Sequence, residues 1–141
     1  MQLSGAIKGC ALLACGLLAA TVGAAQWFPL PGADALEVDL ASVQQERTLV
    51  TAWIRGWGRT PLVPEPAAWS ARASQVHRTA LRTEFDCSRR TVRVIAAQGY
   101  DARGAPVFMS SVPGPVQAVR DADLAWAYDA LCEAARAGGK F

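Results

Sequence analysis

The chain has 141 residues, of which 14 are Lys or Arg and 12 are Asp or Glu. That is room for one domain, and its charge is too balanced for a nucleic-acid binder, which shows a strong basic surplus. Apolar residues make up 52% of the chain, but the N-terminal segment inflates that share.

Met1 to Ala25 holds one charge, Lys8, then the apolar run Ala11–Ala20 and the small-residue stretch Thr21–Ala25. A short basic region, an apolar core and a small-residue site are what the export machinery and its peptidase read, so residues 1–25 are expected to be a removable signal peptide. The apolar core is shorter than the roughly 20 residues a permanent membrane helix needs, so none is expected in the mature chain. Gly23 and Ala25 favour cleavage before Gln26; cleavage after Ala24 comes next. Leu12-Leu13-Ala14-Cys15 forms a loose lipobox, which makes lipid anchoring at Cys15 the competing reading. Leu13, standing where a smaller residue is usual, and the apolar run continuing past Cys15 favour simple cleavage. Removal of Lys8 leaves 13 basic and 12 acidic residues, a charge of +1. It also leaves two cysteines, Cys87 and Cys132, in an oxidising compartment outside the inner membrane, where a disulfide is the expected outcome.

Residues 26–141 then form the single domain. Trp27–Leu30 is apolar, with Pro29 and Pro31 barring a helix. Glu37–Val43 alternates weakly. Arg47–Trp57 is the clearest strand: Val50, Ala52 and Ile54 share one face, while Leu49, Thr51, Trp53, Arg55 and Trp57 share the other. Gly58–Ser74 carries Pro61, Pro64 and Pro66 and reads as an extended loop, with Trp69 as an anchor against the sheet. Val76–Cys87 alternates again, with His77, Thr79, Leu81, Thr83, Phe85 and Cys87 opposite a wet face of Arg78, Ala80, Arg82, Glu84 and Asp86. A turn at Ser88-Arg89-Arg90 returns the chain into a strand over Thr91–Tyr100. Asp101-Ala102-Arg103-Gly104 is a tight-turn signature leading to an answering strand over Ala105–Val112. Beyond Pro113-Gly114-Pro115 the period becomes helical from about Leu124 to Ala137. Asp121 or Asp123 supplies the cap, Gly138-Gly139 the stop, and Leu124, Tyr128, Leu131, Cys132 and Ala135 the buried stripe.

Catalytic chemistry is not signalled. His77 is the only histidine, the two mature cysteines are better used on each other than on zinc, and no nucleophile elbow or phosphate loop is present. No cofactor or metal is expected. Arginine is the one residue type with an interaction flavour. Arg78 and Arg82 lie on the wet face, Arg89 and Arg90 in the turn beside it. Guanidinium groups pair with carboxylates and sulfates and are enriched at interfaces, so these four are the candidate partner-binding residues.

Certain motifs fall in a familiar order: Trp27, the Asp39-x-x-Ser42 pair, the strand Leu49–Trp53, TEFDC at Thr83–Cys87, Arg90-x-x-Arg93, YDARG at Tyr100–Gly104 and a late helix with Cys132. In this the chain resembles the surface-adhesin protein E-like family of bacterial exported proteins, over about Trp27 to Cys132. It departs from the family's pattern in the lead-in to the final helix, Val119–Asp123, and in the proline-rich loop. The resemblance implies a small antiparallel sheet with a C-terminal helix pinned to it by a disulfide, and binding of host extracellular-matrix or serum proteins through the basic region around Cys87.

The expected architecture is α+β, an antiparallel meander of five or six strands closed by one C-terminal, disulfide-linked helix. The expected role is that of an adhesin-like binding protein of the envelope, in the periplasm or on the cell surface. A periplasmic structural or enzyme-inhibitor-like module is the alternative, and assembly as a homodimer stays open.

Overall fold

The computed structural model describes residues 25–30, 32–33, 35–57 and 73–139. Residues 1–24, with Cys15, and most of the proline-rich segment, with Trp69, lie outside the described residues. Six antiparallel strands follow one another in chain order: β1 (Trp27–Pro29), β2 (Leu36–Glu46), β3 (Leu49–Trp57), β4 (Arg78–Asp86), β5 (Thr91–Tyr100) and β6 (Pro106–Ser110). A two-residue β7 (Gln117–Ala118) also pairs with β5, and one helix, α1 (Ala122–Arg136), ends the domain. This is the expected α+β meander, with the short β7 as an addition.

The apolar alternation read from the sequence is what sorts the two faces. Register places Val50 opposite Phe85, Ala52 opposite Thr83 and Ile54 opposite Leu81. Paired residues share a face, and all six of these side chains are buried. In β5 the register with β4 shifts between Arg82 and Thr83, and Ile95 is the extra residue. Val92 and Val94 therefore share the buried face with Ala97 and Gly99, although the two pairs are an odd number of residues apart.

Helix α1 covers this face. Leu124, Ala127, Tyr128, Leu131, Cys132 and Ala135 pack against Leu36, Val38, Val50, Ala52, Ile54, Phe85 and Val92. A smaller cluster of Leu81, Val94, Ala97 and Phe108 continues the core towards β6. The disulfide joins Cys87, just past β4, to Cys132 on the helix, with their Cα atoms 5.5 Å apart. Beside it the Tyr128 hydroxyl donates to the Cys87 carbonyl at 2.9 Å, and the Tyr128 ring meets Phe85 edge-on at 6.1 Å. Covalent and polar links thus hold the helix at one end of the sheet.

Both ends of α1 are closed locally. Asp121, in extended conformation, accepts from the N–H groups of Asp123 and Leu124 and is the N-cap. At the other end Gly138 has φ +67°, its N–H donates to the Ala135 carbonyl, and the Gly139 N–H donates to that of Ala134. This pair of hydrogen bonds across a left-handed glycine stops the helix. Replacing Asp121 by Ala leaves two amide donors uncapped and is expected to cost about 1 kcal/mol of stability. A urea unfolding curve with a lowered midpoint and unchanged slope is the expected result; an unchanged midpoint would deny Asp121 the role.

Candidate binding face

With the helix on one side, the described residues on the other side of the sheet are for the most part partly exposed polar and aromatic side chains. In register, Trp27 lies opposite Asp39, Asp39 opposite Trp53, Trp53 opposite Arg82, and Arg78 opposite Tyr100. One end of this face is a groove of about 510 Å³, lined by Trp27, Asp39, Trp53, Arg55, Arg78, Ala80, Gln98 and Tyr100, with Ala25 and Gly104 at its margin. Ala80 is buried although it belongs to the face read as wet: large neighbours rise round a small floor.

The groove is pre-organised by its own contacts. The Arg55 guanidinium stacks over the Trp27 ring at 4.3 Å and pairs with Glu37. The Tyr100 hydroxyl donates to the Gln98 side-chain oxygen. Asp39-x-x-Ser42 has a structural task beside it. The Ser42 hydroxyl donates to the Asp39 carbonyl at 2.6 Å and accepts from the Trp53 N–H at 2.9 Å. It thereby bridges the register shift of β2 between Asp39 and Gln44. Trp53 is held in place by this bridge.

The four candidate arginines are dispersed. Arg78 and Arg82 both lie on the open face, Arg78 in the groove and Arg82 beside Trp53. At about 3.3 Å of rise per residue, the far end of β4 is roughly 25 Å from Arg78. There Arg89 is largely exposed and reaches Asp86 at 3.8 Å. The Ser88 hydroxyl and N–H, helped by Arg89, hold the Asp86 carboxyl below the usual carboxylate range. Arg90 turns to the opposite side. It has φ +54°, its guanidinium lies over the Tyr128 ring at 4.8 Å, and it pairs with Asp129 at 3.1 Å. Arg93, on the open face, is paired with Glu84 at 2.7 Å.

Trp27, Trp53, Arg55, Gln98 and Tyr100 line the groove and are not among the four candidate binding residues read from the sequence. The alternation of β3 carried a signal for two of them, since it set Trp53 and Arg55 on the face away from the core. His77 is exposed at the head of β4, where its N–H pairs with the Tyr100 carbonyl at 2.8 Å. Among the described residues no three His, Cys, Asp or Glu side chains gather as a metal site would need. No helix among them is long and apolar enough to cross a membrane.

No family model and no curated protein matches the chain in sequence. Solved structures of Haemophilus influenzae protein E do match it in fold. One is 14% identical and superposes with a TM-score of 0.52 over 82% of this chain and 88% of that one. A second crystal form is 12% identical, with a TM-score of 0.52 over 76% and 87%. Protein E from a non-typeable strain is 9% identical, with a TM-score of 0.51 over 82% and 81%. At these identities the likeness is one of fold: an antiparallel sheet with a terminal helix, as in protein E.

Proposed function

We propose, from a protein E-like fold in which, among the described residues, the helix covers one face of the sheet, that this chain is an exported, non-enzymatic binding protein of the bacterial envelope. Its partner in this reading is a protein, of the class of host extracellular-matrix or serum proteins, engaged through the open face. The observation that carries the proposal is the grouping of two indoles, a phenol and the guanidinium groups of Arg55 and Arg78 around one groove, with Arg82 beside it on the same face. Trp, Tyr and Arg are the residues that dominate binding energy at protein interfaces, because they combine large contact area with directional polar groups. The fold likeness and a disulfide suited to an oxidising compartment support it.

The test is capture of matrix and serum proteins by the mature chain, compared with the Arg78→Ala/Arg82→Ala variant. Loss of one groove contact and one beside it is expected to weaken capture at least about 10-fold. Arg89→Ala/Arg90→Ala, on the rim and the helix side, serves as the second arm and is expected to weaken it less. Retention of every captured partner by both variants would remove arginine from the proposal. Labelling of intact cells tests location: an adhesin is reached from outside, whereas protection from the label would favour the periplasmic structural or inhibitor-like module.

A further inference from the structure

Asp39 is a buried carboxylate, 8% exposed, and among the described residues no Lys or Arg forms an ion pair with it. Among the described residues its Oδ1 accepts from backbone N–H groups alone, those of Ala41 at 3.1 Å and of Gln26 at 2.9 Å. Burying a carboxylate on neutral donors alone carries a desolvation cost that a cation alongside would offset. The nitrogen 2.9 Å away is the atom that cleavage before Gln26 turns into a cation.

We propose that Asp39 is the docking site of the mature N-terminus, an inference that rests on the export reading. Hydrolysis of the Ala25–Gln26 peptide gives the hydroxyl of water to the Ala25 carboxyl and its hydrogen to the Gln26 nitrogen. That nitrogen, now an amine, is protonated at neutral pH. The neutral amide bond to Asp39 becomes a charge-assisted one at the same position. The Gln26 carbonyl is already fixed, since it accepts from the Leu40 N–H at 3.0 Å, so the new ammonium is held against the carboxylate. The same cut removes Ala25 from the margin of the groove. Processing therefore ties down β1, which carries Trp27, and widens the site in one step.

An N-terminal glutamine can close on its own amine with loss of ammonia, giving a neutral lactam, so the test separates this from docking. Mass spectrometry of the mature protein from cells reads the N-terminus first. A chain beginning with an open Gln26 supports the proposal; a cyclised Gln26 overturns the ion pair while leaving export intact. An N-terminus elsewhere, or a lipid on Cys15, overturns both the docking and the cleavage it rests on. The mature chain is then compared, with Gln26→Ser to prevent cyclisation, as the free amine and as its N-acetylated form. The acetylated form keeps one N–H and loses the charge, with an acetyl group standing where the Ala25 carbonyl was. Its Tm is expected to fall by about 5 °C, the size of change that one lost interaction of this kind produces in a small domain. In the Asp39→Asn background the two forms are expected to melt together. Equal Tm values with Asp39 intact would overturn the docking whether or not the Asn variant folds.

Discussion

Cys87→Ala/Cys132→Ala is expected to lower the unfolding free energy by about 4 kcal/mol relative to the oxidised protein. The bond spans 45 residues, and closing a loop of that length removes about that much conformational freedom from the unfolded chain in the chain-entropy account. Alanine is the appropriate replacement, because Cys132 has no exposed surface and a serine there would add an unpaired hydroxyl. Domains of this size hold a net stability of only about 5–15 kcal/mol, so the loss is a large share of the total. Urea unfolding of the double variant beside oxidised wild type measures it. Coincident curves would mean that packing and the Tyr128–Cys87 hydrogen bond fix the helix without help from the bond.

Phe85→Ala is expected to cost about 3–5 kcal/mol, comparable to loss of the disulfide. Phe85 is fully buried, lies in register between Val50 and Val92, and presents to the edge of Tyr128. The alanine leaves a void that strands on both sides cannot fill without giving up their ladders. Met109→Ala is the control: Met109 is 67% exposed on β6, and its truncation is expected to change stability by no more than about 0.5 kcal/mol. A Phe85 variant as stable as the Met109 variant would place the centre of the core elsewhere.

The sequence carried most of the fold because the middle of the chain repeats one rule. In β3, β4 and the first half of β5 every second residue is apolar or a buried threonine, and period-2 patterning survives any tertiary context that covers one face. Asp101 and Gly104 likewise act as the turn signature requires. The Asp101 side chain accepts from the Arg103 and Ala105 N–H groups, and Gly104 has φ +83°. Features set by a partner far along the chain were not visible. β7 is two residues whose pairing depends on the path after Pro113-Gly114-Pro115, where the Gly114 N–H donates to the Val94 carbonyl at 2.8 Å. The Ile95 bulge interrupts an unbroken apolar run and leaves no mark on it. The turn at Gly32 is another such case: it has φ +82°, and an added Cβ would stand 2.8 Å from the Trp126 ring on α1.

The candidate site was harder to read, for a related reason. Arginines near one another in sequence look like one group, but a strand separates its ends by roughly 25 Å and a left-handed residue at Arg90 sends one guanidinium round the edge. The aromatic side chains of the groove come from β1, β3 and β5, and only the ladder brings them together.

The positions of the two cysteines bear on how the fold withstands proteolysis. Everything from β5 to Leu131 of α1 lies between them, so a protease that cuts once within residues 88–131 frees no fragment: the two pieces stay tethered as one particle until a reductant arrives. A cut in the strands before Cys87 has no such safeguard, and there survival depends on the sheet keeping its backbone out of a protease's reach.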